Sequence, residues 1–437
     1  MEISLRKNEK VRDFQRKLYR KAKQEKGFRF YVLYDKIRRL DFLAEAYKRV
    51  KGNGGAPGVD GVTFKQIEEN GLLDFLVQLQ DELENRTYHV QPVKRVYIPK
   101  ANGKMRPLGI PTIRDRVVQM SCKLVIEPIF EADFDDASYG FRPQRKASDA
   151  VEAIKEKLKE GKNEVLDADL SQYFDTIPHD RLLKLVGQRI SDKNVLHLIK
   201  LWLKAPVIED GRISGGKKNK TGTPQGGVIS PLLANIYLNL VDQLVRNHKA
   251  FSAVEIVRYA DDFVLMGRRI QGSVIEALNY LLKRMGLQLN DEKSRLIDAQ
   301  KDSFDFLGFT FQRRISIYNS DEKYLSVHPS KKSFQKLVAA VREELIRYRN
   351  RSSEDTVKML NHKLRGWLNY FTIPEVTYTG ITRRKLRMYL QDRLFRHHKR
   401  KSQRYRYARC QGMFRKWIDT YGLIDPDTYG IKDTVKA

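Results

Sequence analysis

The sequence predicts an α+β protein whose C-terminal third is mostly helical. Three observations carry that prediction. Short β-prone runs recur through the middle of the chain, among them Val93–Pro99, Val165–Leu170 and the pair Val254–Arg258 and Phe263–Met266. Helical periodicity frames them, as in Tyr31, Leu33, Tyr34, Ile37, Leu40, Leu43 and Tyr47. From residue 331 onward the pattern is helical and basic. With 437 residues, 41% of them hydrophobic, the chain can bury a real core and is long enough for two to four domains.

The elements follow in order. A basic helix is expected over 6–26 and a second over 30–50, ended by Gly52-Asn53-Gly54-Gly55-Ala56-Pro57-Gly58. Helical segments follow around 64–86. The run Val93–Lys100, a turn at Ala101-Asn102-Gly103-Lys104 and a return through Met105–Pro111 read as a basic hairpin. A helix is expected over 113–130, a buried strand over 165–170, and helices over 180–190 and 194–204. Ser230 as N-cap with Pro231 in the first turn opens the next helix. A hairpin over 254–266, a helix over 272–285 and short strands near 287–297 and 304–318 complete the mixed region. Helices are expected over 331–350, 354–371 and 382–399. His328-Pro329-Ser330 suggests a boundary near 325–330.

The net charge is +29, from 83 Lys+Arg against 54 Asp+Glu. Arg6–Arg39 holds 14 basic and 4 acidic residues, and Arg383–Lys416 holds 14 basic residues and one acid, Asp392. A one-signed excess of this kind points to a polyanion partner, usually nucleic acid. Aromatics interleave the second segment at Tyr389, Phe395, Tyr405, Tyr407, Phe414 and Trp417, a pattern suited to stacking on RNA or single strands. No apolar run is long enough to span a membrane, and the first residues lack the apolar stretch of a signal peptide. The two cysteines, Cys122 and Cys410, form no CxxC pair, which excludes a cysteine zinc site or disulfide framework and fits a reducing, cytoplasmic setting.

The chemistry concentrates in four places. Tyr259-Ala260-Asp261-Asp262 puts two carboxylates at the turn of an apolar hairpin, where they could hold divalent cations. Asp169 ends a predicted strand and would join them if the two strands share a sheet; Asp167 and Asp175 flank it. Gly222-Thr223-Pro224-Gln225-Gly226-Gly227 allows backbone to approach a ligand closely. The basic hairpin puts Lys100 and Arg106 where they could hold a triphosphate. Each motif alone has a plain structural reading as a turn, a loop or a solvated face.

Together they resemble the reverse transcriptase domain, in an order close to that of group II intron-encoded reverse transcriptases, or maturases, lacking the HNH endonuclease domain. Gly58-Val59-Asp60-Gly61, Arg106–Pro111, Ser138-Tyr139-Gly140-Phe141-Arg142-Pro143, Asp169–Asp175, Thr223–Gly227 with Ser230-Pro231, the Asp261-Asp262 turn, Phe306-Leu307-Gly308-Phe309 and Leu364–Phe371 follow in family order.

The resemblance implies a right-hand polymerase fold of fingers, palm and thumb. The palm would carry the metal site on an antiparallel sheet. Residues 1–160 would form an N-terminal extension and fingers, 161–325 the palm with part of the fingers, 326–400 a helical thumb, and 401–437 a basic DNA-binding region or tail. Asp169, Asp261 and Asp262 would be catalytic and, with the Leu170 carbonyl, would bind two Mg²⁺ ions, with Mn²⁺ an alternative. Phe174 would lie under the incoming sugar, Gln225 beside the nascent base pair, and Lys100 and Arg106 on the triphosphate. Lys293 matches the family lysine placed to protonate the leaving pyrophosphate. Arg365, Trp367, Arg383, Arg384, Arg387, Arg396, Lys399 and Arg400 would contact nucleic acid. The implied function is RNA-directed DNA synthesis, with splicing of a group II intron and its copying at a DNA target. The implied partners are intron RNA, an RNA template with a DNA primer, target DNA and dNTPs. A splicing-only maturase, or a relative serving phage defence or spacer acquisition, would share many of these motifs. No oligomeric state follows from the sequence.

Overall fold

The computed structural model describes residues 9–99, 103, 105–223, 226–315, 323–401 and 412–430, the side chains of Lys217, Arg400 and Lys401 aside. Helices and sheets mix as expected. The strands are β1 (Val93–Pro99), β2 (Met105–Ile110), β3 (Glu164–Ala168), β4 (Pro206–Glu209), β5 (Arg212–Gly215), β6 (Val254–Tyr259), β7 (Asp262–Gly267), β8 (Arg295–Asp298), β9 (Phe304–Phe306), β10 (Phe309–Ile315) and β11 (Lys323–Pro329). The chain divides into two compact units. One holds 1–145, 168–265 and 270–295; the other holds 146–167, 266–269 and 296–437.

In the first unit a sheet runs β2-β1-β4-β5. Strands β1 and β2 pair antiparallel from Lys94↔Ile110 to Pro99↔Met105, the expected basic hairpin, and β4 joins β1 in parallel. Sequence patterning missed β4 and β5, which are short and carry half-buried or exposed positions throughout. The helix Ile113–Glu131 is buried on nearly every face and forms the middle of this unit. Thr112 caps it, its Oγ1 accepting from the Asp115 N–H at 3.2 Å.

One long predicted helix is broken. Residues 30–50 form Tyr34–Ile37 and Leu40–Gly52, because Arg39 is extended at the cap between them. The helical segments expected around 64–86 are Phe64–Glu69 and Leu72–Glu84, parted at Gly71, whose φ of +106° no helix accommodates. Ser230 is the first residue of its helix rather than the cap. Ile229 takes the cap position, and Ser230 is buried at 3% exposure.

In the second unit a sheet runs β11-β10-β9, antiparallel throughout. Helices Lys331–Arg347, Ser353–Phe371, Gly380–Lys401 and Met413–Tyr421 enclose one apolar core. Ser330 and Ser352 cap the first two, accepting from Ser333 N and Asp355 N. Leu360, Leu364 and Leu368 repeat at every fourth position and share this core with Leu386, Leu390 and Leu394, which repeat likewise. Each buried leucine contributes about 1.5–3 kcal/mol. Phe414 and Trp417 belong to this core and Tyr389 and Phe395 pack against it, so these four aromatics hold helices together rather than offering stacking faces. Tyr405 and Tyr407 lie outside the described residues. Among the described residues, no helix is long and apolar enough to cross a membrane.

Candidate active site

The hairpin of β6 and β7 turns at Ala260-Asp261. Ala260 adopts a left-handed φ of +60°, which costs a non-glycine residue about 1–2 kcal/mol. A buried network beneath the turn holds it there. Arg258, fully buried, donates Nη1 to the Ala260 carbonyl at 2.8 Å and to Asn235 Oδ1 at 3.0 Å. Its Nε and Nη2 meet the equally buried Asp242 carboxylate at 2.8 and 2.6 Å. Asn235 in turn donates to the Gly140 carbonyl at 2.8 Å. The Tyr139 N–H and the Arg258 carbonyl bond at 2.9 Å, and Arg258 N–H bonds Ala137 O at 2.8 Å.

Gly140 must be glycine here. A Cβ on it would lie 2.3 Å from Ala260 N and 2.9 Å from Tyr259 C. The segment Ser138–Pro143 is therefore a bed for the aspartate turn. Its Arg142 is buried as well, bonded to the Asp135 and Ser138 carbonyls and paired with Glu131. Sequence reading singled out the segment but not this role, and it passed over Arg258, Asp242 and Asn235 as site residues. The available signals were a charged residue ending an apolar strand and an acid inside the apolar helix Ser230–Asn247.

Asp261 is half-buried and Asp262, at the start of β7, is exposed. Burial pushes the Asp261 carboxyl up from its ordinary value. A hydrogen bond from its own backbone and the Arg106 and Arg258 guanidiniums oppose that rise, and the Asp169 carboxylate adds to it. Asp169, Asp261 and Arg106 thus share one electrostatic neighbourhood.

Asp169 follows β3 and is fixed by a short ladder. Its carbonyl accepts from Asn290 N–H at 2.8 Å, and Ser171 N–H donates to Gln288 O at 3.0 Å. Leu170 sits opposite Leu289 between these bonds, so its carbonyl points away from that partner. The Asn290–Ser294 turn behind the ladder brings Lys293 Nζ to 2.5 Å from Asp169 Oδ2.

Phe174 is half-buried on the short helix Tyr173–Thr176. Its carbonyl accepts from Thr223 N–H at 2.7 Å, and the Ile177 carbonyl accepts from Gly222 N–H at 2.9 Å. Gly226 lies against the β2 backbone, where a Cβ would meet Gly109 O at 2.2 Å. The glycine loop is thus fastened at one end to the Phe174 helix and at the other to β2. Lys100, Gln225 and the side chain of Arg400 lie outside the described residues.

Among the described residues, no three His, Cys, Asp or Glu side chains form a ready metal-ligand group. The donors present nevertheless suit a hard divalent cation, since Asp169, Asp261, Asp262 and the Leu170 carbonyl offer only oxygen. The repulsion Asp261 feels from Asp169 is what such a cation would relieve.

The expected nucleic-acid residues divide. Arg365, Arg384, Arg396 and Lys399 are exposed, Arg396 pairing with Asp392 on its own helix. Arg387 pairs with Asp425 and Asp427. Arg383 is not on the surface. It is 5% exposed and donates to Tyr429 O and Thr372 Oγ1 at 2.8 and 2.7 Å, tying the C-terminal segment to the helices. Trp367 is half-buried between Phe334 and Phe371. With Tyr370, whose hydroxyl donates to Leu307 O at 3.0 Å, Phe371 packs on the Phe306–Phe309 turn. The two motifs of this unit are therefore one packing unit.

Residues 98–311 match the family described as reverse transcriptase (RNA-dependent DNA polymerase). Residues 334–417 match the group II intron, maturase-specific domain. Protein YkfC of Escherichia coli is 37% identical over 362 residues, covering 74% of this chain and 93% of YkfC. The chain belongs to the group II intron reverse transcriptase and maturase family. The group II intron-encoded protein LtrA of Lactococcus lactis is 34% identical over 271 residues, 61% of this chain and 43% of LtrA. This reverse transcriptase thus spans nearly the whole of one relative and less than half of another. A solved partial Cas6-RT-Cas1–Cas2 complex covers 58% of this chain and 41% of its own at 23% identity, with a TM-score of 0.36.

Proposed function

We propose that this reverse transcriptase extends a DNA primer on an RNA template with two divalent cations held by Asp169, Asp261, Asp262 and the Leu170 carbonyl. Family membership makes the chain an RNA-directed DNA polymerase with a maturase role in group II intron splicing. The observation that carries the site assignment is the strained Asp261 turn in one electrostatic neighbourhood with Asp169 and Arg106.

Bound Mg²⁺ would lower the pKa of the primer 3′-hydroxyl and neutralise the leaving pyrophosphate. The chain's own groups do the rest. Arg106, exposed on β2, offers a bidentate fork to the triphosphate. Phe174 presents its ring to the sugar and disfavours a 2′-hydroxyl. Lys293 leaves Asp169 to give a proton to the departing pyrophosphate. Arg258 and Gly140 fix the turn that aims Asp261.

In this reading residues 1–160 are an N-terminal extension and fingers, 161–325 the palm with part of the fingers, 326–400 the thumb and 401–437 a basic DNA-binding region or tail, whose helix Met413–Tyr421 shares the thumb core. The partners are intron RNA, primed RNA template, dNTPs and the DNA target at which the intron is copied.

Primer extension on an RNA template with dNTPs and Mg²⁺ tests the assignment, wild type beside Asp261→Asn. Extension by the wild type alone supports it. Equal extension by both removes Asp261 from the metal site.

A further inference from the structure

The second unit contains a cavity of about 560 Å³ between the β10–β11 hairpin and the first turns of two helices, Lys331–Arg347 and Gly380–Lys401. We propose that it binds one unpaired nucleotide of a single-stranded nucleic acid, a site separate from the polymerase centre and independent of the metal assignment above.

Charge is the first argument. Arg314, Lys331 and Lys385 line the cavity, and among the described residues its lining contains no Asp or Glu. Lys331 and Lys385 are exposed at the rim, where ammonium groups can reach a phosphodiester. Arg314 is half-buried and oriented from behind: its Nη2 lies 3.1 Å from His328 Nε2, and His328 Nδ1 lies 3.3 Å from Ser326 Oγ. Burial and the neighbouring guanidinium push the His328 pKa down, so the ring is neutral near pH 7 and its Nε2 accepts from Arg314.

A built aromatic wall is the second. Tyr378 is 51% exposed, yet its position is fixed. Its N–H donates to Val327 O at 2.7 Å, and Tyr324 meets its ring edge-on at 5.5 Å. Lys155, 5% exposed, donates to the Glu375 and Val376 carbonyls at 2.5 and 3.1 Å and lies 5.6 Å from the Tyr378 ring. An exposed ring on an anchored loop is what a base needs to stack on, and it accepts any base. Ile381 beside it is 58% exposed and extends the apolar floor.

Shape is the third. The volume is that of a small-ligand site and excludes a duplex. The fit is a base on Tyr378 with its phosphate on Lys331, Lys385 and Arg314.

The test uses the full chain and two single-stranded 12-mers of one sequence, one RNA carrying 4-thiouridine and one DNA carrying 4-thiothymidine. After irradiation, crosslinked peptides are mapped by mass spectrometry; fluorescence anisotropy across a salt series gives affinity. Crosslinks are expected at 323–331 or 376–388, displaced by single strand and not by duplex. Tyr378→Ala should weaken single-strand binding about five-fold or more while Tyr378→Phe keeps it. Lys331→Ala with Lys385→Ala should flatten the slope of log K against log salt by up to about 0.7, the value for the one phosphate they share. Crosslinking of RNA alone marks an RNA strand as the occupant, and crosslinking of both marks recognition through base and phosphate. Crosslinks only elsewhere, with an unchanged salt slope in the lysine variant, overturn the site. So does competition by duplex alone. Asp261→Asn should leave these crosslinks in place, which separates failure here from failure of the metal assignment.

Discussion

Lys293 Nζ and Asp169 Oδ2 meet at 2.5 Å across 124 residues of chain. The lysine side chain is 59% exposed and the aspartate 31%, so water screens the pair and its strength is modest, about 0.2–1 kcal/mol. A cation taken up by Asp169 competes with this ammonium for the carboxylate charge. Lys293→Met should therefore tighten Mn²⁺ binding by about two- to five-fold at most, read by electron paramagnetic resonance on the protein without nucleic acid. Weaker or unchanged binding would mean that Lys293 does not compete for Asp169. If Lys293 also supplies the proton to pyrophosphate, the same variant will extend primers more slowly despite its better metal binding.

Gly140→Ala places a methyl group against the backbone of the aspartate turn, 2.3 Å from Ala260 N. The turn must move, and misplacing reacting groups by an ångström costs about 10²-fold in rate. Primer extension should drop by that order while single-strand RNA affinity stays within a few-fold. Normal extension would show that Asp261 tolerates a shifted turn.

Arg258→Met leaves Asp242 as an unpaired charge with no exposure at all. The expected loss of stability is about 3–5 kcal/mol, measured by urea unfolding. Adding Asp242→Leu removes the orphaned charge and should restore much of that loss. A double variant no better than the single one would refute the pairing as the source of the effect.

Neighbouring arginines in one helix should behave differently. Arg383→Ala uncouples Tyr429 and Thr372 and should lower stability by about 1–3 kcal/mol, seen as a falling melting temperature. Arg384→Ala, at an exposed position, should change stability by less than about 0.5 kcal/mol. Its effect belongs in the salt dependence of nucleic-acid binding, which should flatten by about 0.7–0.9. Identical behaviour of the two variants would contradict the burial of Arg383.

Local signals explain what could be read in advance. The hairpin at 254–267 was legible because two apolar runs flank two carboxylates, and the helix Gly272–Met285 because its periodicity is regular. The link from Arg258 to Asp242, Asn235 and Gly140 was not. It spans more than a hundred residues, and nothing in the local pattern says that a strand arginine turns inward to a helix aspartate. Charge counting failed at Arg383 for a related reason. A run of basic residues reports composition, while the helix decides which of them face the core. Trp367 was legible as part of a motif, but its aromatic neighbours Phe334 and Phe371 become visible only once the helices pack.

The C-terminal helix Met413–Tyr421 changes how the protein can be cut. Met413, Phe414, Trp417 and Leu423 fill the same core as Leu364 and Leu390, and Tyr429 receives Arg383. Shortening the chain before residue 413 therefore exposes the leucine faces of the helices Ser353–Phe371 and Gly380–Lys401, and the truncated protein should become sticky and easily digested. A fusion that leaves residues 413–430 intact keeps that keystone in place.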